Sequence, residues 1–271
     1  MKNLSKKLDP FTLNAPRALV GGIALLILAS ATGRTSGAQD LSPQALALMV
    51  GSMALGGGVG DSLYVTSMAL IGVSRAYPIS CTYPAITLVL AALLLNEPIT
   101  PAVVAGMVLV IGGVMLISRP SSTDSRPTSA RAHRTGVALA LLAAACWAGA
   151  SIILSPATEG VDPILVSAVR LPALALIFWG LVGLRGTAGT LRTLSRKEWL
   201  TISLGGLVGM GVGSLLFVVA LSHLGPTRTA ILTSTSPLFA IPMTVLFMNE
   251  RPSRAVLIGT AVTVAGVALV S

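Results

Sequence analysis

Charge is scarce in this chain. Only 10% of its 271 residues are Asp, Glu, Lys or Arg, against about 25% in a soluble domain. So few charges cannot cover a globular surface in water, and a soluble fold is excluded. Acid is scarcer still, with nine Asp and Glu against 18 Lys and Arg, a net charge of +9. In a soluble protein that excess would suggest nucleic acid. Here the basic residues sit between apolar runs, where they set orientation against a membrane, so no nucleic-acid partner is expected. Cysteine is limited to Cys81 and Cys146, both inside apolar runs. They give neither metal spacing nor a disulfide framework and read as small buried apolar residues. His133 and His223 stand alone, and the chain has no P-loop and no His/Cys/Asp cluster. Nothing points to an enzyme, a metal or a cofactor.

Apolar length is what the chain has instead. Hydrophobic residues make up 54% of it and the mean hydropathy is +0.87. That composition implies an all-α polytopic membrane protein whose first partner is the lipid bilayer. Spans of roughly 20 mostly apolar residues are needed to cross. Nine candidates fit: about 13–32, 44–72, 76–95, 101–118, 136–154, 163–184, 199–221, 229–248 and 253–271. The second is over-long, and a tilted helix or a part-loop segment is expected there. A basic start followed by Leu19–Ala31 resembles a signal peptide. The repeat described next argues against that, because the same pattern recurs deep in the chain.

Residues 60–118 occur twice. Sliding them 153 positions along superimposes Gly60, Gly72, Arg75, Thr82, Pro84, Asn96, Glu97, Gly106 and Gly113 on Gly213, Gly225, Arg228, Thr235, Pro237, Asn249, Glu250, Gly259 and Gly266. The register extends upstream, with Asp9-Pro10 on Asp162-Pro163, Arg17 on Arg170 and Leu41-Ser42 on Leu194-Ser195. A regular internal repeat dictates the architecture. The first repeat is 1–118 with four helices, 119–135 is a linker rich in Ser, Arg, Pro and Thr, and 136–271 is the second repeat with five. Equivalent residues are separated by five crossings, an odd number, so the repeats are inverted in the membrane. Inverted repeats are typical of secondary transporters, with the binding site near the midplane. Fifteen Lys and Arg fall on one side and Arg34, Arg170 and Arg228 on the other, which puts the amino terminus inside and Ser271 outside.

Candidate functional residues cluster at matched points. Pro84 and Pro237 lie near the middle of equivalent spans, where each removes an amide donor. Such breaks are tolerated in hydrocarbon only where protein or a wet cavity satisfies the freed groups. Ser80, Thr82 and Tyr83 surround one break, and Thr235 and Ser236 the other. They either repair the kink or line a midplane site. Asp61 lies inside a span, and an intramembrane carboxylate is by default a proton carrier or a substrate contact. Trp147 and Tyr64 lie deep enough to wall a cavity. Arg17 and Arg170 sit near helix starts and can snorkel. Glu97 and Glu250 read as interfacial, near the positive end of the next helix. Ser52, Gly56 and Gly60, with Gly205, Gly209 and Gly213, form small-residue rows at a spacing of four. Gly106/Gly113 and Gly259/Gly266 form a second pair of smooth faces, suited to close helix packing.

The ordered set of a mid-helix Pro, a terminal Asn-Glu and a Gly-rich last helix, present in both repeats, resembles the EamA-type family of the drug/metabolite transporter superfamily. The stretches carrying it are SRAYPISCTYPAITLVLAALLLNEPITPAVVAGMVLVIGGVMLIS and its copy ending LFMNERPSRAVLIGTAVTVAGVALVS. The resemblance implies a ten-helix fold with both ends cytoplasmic, of which this chain would lack the first helix. It also implies export or exchange of small metabolites such as amino acids, by alternating access and without ATP. The expected location is a multi-pass bacterial inner membrane, as a monomer or homodimer. The competing expectation is an incomplete or structural membrane protein unable to transport alone.

Overall fold

The computed structural model describes residues 8–118, 129–236, 238–239 and 253–270. All regular structure among them is helical. The main helices are α1 (Pro10–Ala31), α2 (Pro43–Ile71), α3 (Val73–Ser80), α4 (Tyr83–Leu94) and α5 (Pro101–Ile117), followed by α6 (Ala130–Leu154), α7 (Pro163–Arg185), α8 (Arg196–Thr233) and α9 (Arg254–Val270). Six stretches are long and apolar enough to span a bilayer, and α5 and α9, at 17 residues each, are shorter apolar helices. Leu93 and Leu176 are 73% and 75% exposed. Large aliphatic side chains turned outward to this degree suit lipid rather than water.

Helix starts follow the sequence closely. Asp9, Ser42, Thr100 and Asp162 each accept backbone N–H bonds at an N-cap, with Pro at the first helical position. A capping side chain satisfies an otherwise orphaned donor, and Pro has no donor to lose there. Ser195 and Glu198 complete a capping box at α8. Gly33 and Gly186, with φ of 70° and 67°, end α1 and α7 in the left-handed region. Each leads into a 3₁₀ turn, Arg34–Asp40 and Thr187–Thr193. These positions are 153 residues apart, so the local conformations repeat in the register of the sequence.

Four elements differ from expectation. The over-long second span contains no loop. It is one continuous helix with a π-helical stretch at Ala54–Gly60, and α8 carries a similar stretch at Gly205–Val212. Runs of Gly, with no Cβ to crowd the turn, allow the wider i→i+5 winding. The break around Pro84 falls at Cys81-Thr82, so Pro84 lies in the first turn of α4 and not mid-helix. The helix expected at 229–248 lies partly outside the described residues, and its start, 229–233, continues from a non-helical Gly225 (φ 76°) inside α8. Gly72, its counterpart, has φ 81° and separates α2 from α3. Lastly, α6 begins at Ala130 and takes in the end of the expected linker.

The chain divides into two compact units, 1–58 with 153–223 and 59–152 with 224–271. Each combines segments from both sequence repeats. In the first unit α1 lies along α7. Ala15, Ala18, Leu25 and Ala29 pack on Ala168, Leu171, Leu174, Ala175 and Phe178. A Cβ on Gly21 would lie 2.9 Å from the carbonyl oxygen of Gly206, so α1 rides against the π stretch of α8. Here the expected row shifts. Gly206 and Gly211 make the close contacts with α1, while Gly213 has nothing nearer than 3.8 Å. A spacing of four does not stay on one face once the winding becomes i→i+5.

Arg170 does not snorkel. It is 5% exposed, and its Nε donates to Ser52 Oγ at 3.3 Å. Its guanidinium stands 5.9 Å from the Phe217 ring centre. Arg17, its counterpart, donates to Asn14 and to the Gly205 carbonyl at 3.4 Å. Ser52 and Gly205 are themselves 153 residues apart. Each guanidinium therefore holds the same place in the opposite repeat, at the entry to its π stretch.

In the second unit α5 and α9 touch through bare backbone. A Cβ on Gly106 would meet the Gly266 carbonyl oxygen at 2.7 Å, and one on Gly113 the Gly259 oxygen at 2.6 Å. The reverse contacts, from Gly259 and Gly266, are both 2.7 Å. Both glycine pairs act as expected, because lipid-embedded helices associate by close packing and not by exclusion of water. Replacing Gly113 by Leu should cost about 1–3 kcal/mol through overpacking, seen as a lowered Tm of the purified protein. The same change at Gly112, which has nothing within 4 Å, should leave the Tm near wild type.

Candidate functional site

The candidate site is built in the second unit where α2, α4 and α6 approach. Asp61 is the first residue after the π stretch of α2. Such stretches are frequent at functional sites, because they aim a side chain that regular winding would place elsewhere. The Trp147 indole N–H donates to Asp61 Oδ1 at 2.9 Å. The ring is pressed against α2, since a Cβ on Gly60 would come within 3.0 Å of it. Glycine at position 60 is thus what admits the indole to the carboxylate. Ser67 Oγ donates to the Gly136 carbonyl at 2.7 Å and ties α2 to α6 a few turns away.

Two tyrosines complete the cluster. The Tyr64 ring meets Trp147 edge-on at 5.3 Å, and the Tyr83 ring does so at 6.1 Å. Edge-to-face pairs at these separations are favourable by about 0.5–1.5 kcal/mol beyond their area. Tyr83 is 9% exposed and donates its hydroxyl to the Ala230 carbonyl at 2.8 Å. That carbonyl also accepts Ser234 Oγ at 3.0 Å. Tyr83 therefore links the start of α4 to the end of α8. The cluster is one carboxylate bonded to an indole that two tyrosine rings flank, inside segments long and apolar enough to cross a membrane.

The remaining sequence candidates do other work. Ser80 Oγ donates to the Tyr77 carbonyl and Thr82 Oγ1 to that of Ile79, at 2.8 and 2.7 Å. Thr235 and Ser236 donate to Leu232 and Thr233, both at 2.6 Å. Each hydroxyl bonds a carbonyl of its own turn, and the Tyr77, Ile79 and Leu232 carbonyls accept a backbone N–H as well. Pro84 is buried at the start of α4. Pro237 and Glu250 lie outside the described residues.

Glu97 is not placed at the start of α5. Asn96, with φ 55°, turns the chain sharply at the end of α4. Glu97 then accepts the Thr227 hydroxyl at 2.8 Å, beside the non-helical Gly225. A carboxylate suits that place because α8 restarts there, and a helix start carries partial positive charge. Neither Thr227 nor the Ala230 carbonyl was legible as a partner, since residues 130 or more apart share no local pattern. Among the described residues no group of three His, Cys, Asp or Glu could hold a metal ion.

Comparisons with known proteins agree with this architecture. Residues 1–119 and 134–271 match the profile of the EamA-like transporter family. An "Uncharacterized transporter" of Archaeoglobus fulgidus is 28% identical over 264 residues, covering 97% of this chain and 88% of the relative. The "WAT1-related protein At3g02690, chloroplastic" of Arabidopsis thaliana is 26% identical across the whole chain, which spans 65% of that protein. The "Uncharacterized inner membrane transporter YhbE" of Escherichia coli is 21% identical over 49% of this chain and 42% of its own length. A solved crystal structure at 18% identity shares the fold, with a TM-score of 0.77 over 97% of this chain and 88% of the other.

A double-mutant cycle on Glu97→Gln and Thr227→Val should give a coupling energy of about 1 kcal/mol, as for a half-buried hydrogen bond to a charged group. Denaturation of the purified variants measures it.

Proposed function

The chain belongs to the EamA-like transporter family, and on that premise we propose that it is a secondary transporter exporting or exchanging small metabolites such as amino acids. The observation that carries this reading is the Asp61–Trp147–Tyr64–Tyr83 cluster. A carboxylate inside a membrane-crossing helix is costly and is retained where it meets a solute or an ion. Aromatic walls with a few polar groups are the usual lining of a small-molecule site.

Alternating access between inverted repeats is supported by the 153-residue register and by the odd number of crossings it implies. The chain breaks at Gly72, Cys81-Thr82, Gly225 and Ser234-Thr235 are points where segments can pivot, because their freed carbonyls already have hydroxyl or backbone partners. Asp61, Tyr64, Tyr83 and Trp147 contact the solute. Ser80, Thr82, Thr235 and Ser236 hold the breaks, and Pro84, with no amide donor, keeps the first from closing into regular helix. A bacterial inner membrane fits the apolar spans and the printed description of the Escherichia coli relative.

Efflux of labelled amino acids from cells expressing the full chain tests this. Removing one aromatic contact worth about 1.4 kcal/mol should slow efflux about tenfold, so Trp147→Ala and Tyr83→Ala should both fall clearly below wild type at equal membrane abundance. Gly112→Ala should transport normally, since a side chain there meets nothing within 4 Å. If Trp147→Ala keeps the wild-type rate for every solute carried, the cluster is not the site.

A further inference from the structure

We propose that Asp61, with Tyr64 and Trp147, is a cation subsite that holds a proton and the ammonium group of the solute in turn. This rests on the transport reading above and deepens it by naming the group recognised. Trp147 engages one carboxylate oxygen, Oδ1, through a neutral donor. Asp61 forms no ion pair with any described basic side chain; the Arg34–Asp162 pair belongs to the other unit. The titratable groups near it are Tyr64 on its own helix and Cys146 on α6 beside Gly60. Cys81, Tyr77 and Tyr83 on α3, α4 and the turn between them are reached through Tyr64 and Trp147. All of these are acids that are neutral when protonated, and none supplies positive charge. A membrane-embedded carboxylate with no described basic partner is suited to meet a cation that comes from outside the protein.

The aromatic rings decide which cation fits. The faces of Trp and Tyr rings attract an alkylammonium group within about 6 Å, whereas a small hydrated metal ion would need several oxygen ligands. The cluster offers one carboxylate and three rings. The exchange is balanced: the carboxyl O–H bond breaks, its proton passes to water, and the ammonium N–H groups then bond the carboxylate. The position equivalent to Asp61 in the second repeat is Ser214, so the repeats differ at this point and one cation is bound per chain.

Proton release on binding tests this without requiring transport. The full chain in detergent and weak buffer is given L-leucine, L-leucinamide or N-acetyl-L-leucine, and pH and tryptophan fluorescence are followed. The two ammonium-bearing probes should release protons and change the fluorescence, with apparent affinity weakening as pH falls. N-acetyl-L-leucine, which has no ammonium group, should do neither. Asp61→Asn should abolish the proton release and flatten the fluorescence–pH titration, and Asp61→Glu should retain both with a shifted midpoint. Trp147→Phe should lose the optical signal and release protons only at higher probe concentration, because it removes the indole donor from Asp61. The proposal is overturned if Asp61→Asn titrates as wild type does, if the acetylated probe is equivalent to the free amines, or if no ammonium probe releases a proton. A chain that releases protons on binding yet moves no solute across liposomes would keep this subsite and sink the transport reading instead.

Discussion

In hydrocarbon an amide or carbonyl without a partner costs several kcal/mol, and this condition governs every element of the protein. It makes all regular structure among the described residues helical, and it restricts where a helix can stop. At Cys81-Thr82 the Ser80 and Thr82 hydroxyls add to carbonyls that backbone N–H groups already engage. At Ser234-Thr235 the Ser234 and Thr235 hydroxyls do the same, and Ser236 bonds the Thr233 carbonyl. Gly72 and Gly225 make their turns with positive φ, which only glycine adopts without strain. The interruptions are thus prepared in the sequence by hydroxyl residues that add bonds at the turn and by glycines that permit it.

The same condition explains how the helices associate. With lipid on the outside there is no gain from hiding leucine, so close backbone approach has to supply the attraction. The α5–α9 contact does this through four glycines that sit directly on opposing carbonyls. The α1–α7 pairing uses alanines along one face and glycine against the π stretch of α8. Arg17 and Arg170 then fix the start of each π stretch from the opposite repeat. A buried guanidinium is costly, and its two equivalent uses show that both repeats solve one local problem in one way.

The π stretch of α2 also links fold to chemistry. Its wider turn ends at Gly60, and the missing side chain there lets Trp147 lie against the backbone and reach Asp61. A residue with a Cβ at position 60, or regular winding through 54–60, would separate the indole from the carboxylate. The cluster depends on a backbone irregularity that no composition rule describes.

The sequence by itself determined the membrane class, the all-helical architecture, the repeat and its register, the helix caps, and the Gly106/Gly113 and Gly259/Gly266 faces. These depend on composition or on residues a few positions apart, which short-range sterics and hydrogen bonding decide. It also marked Asp61, Tyr64, Tyr83 and Trp147 as candidates by depth alone. Only the tertiary structure decided which candidates meet. It brought Trp147 onto Asp61 across 86 positions of sequence and Glu97 onto Thr227 across 130, and it turned the Ser80, Thr82, Thr235 and Ser236 hydroxyls back onto their own helices. The reason is geometric: one π turn or one positive-φ glycine rotates everything beyond it, and the resulting direction of a side chain is set by packing against distant helices.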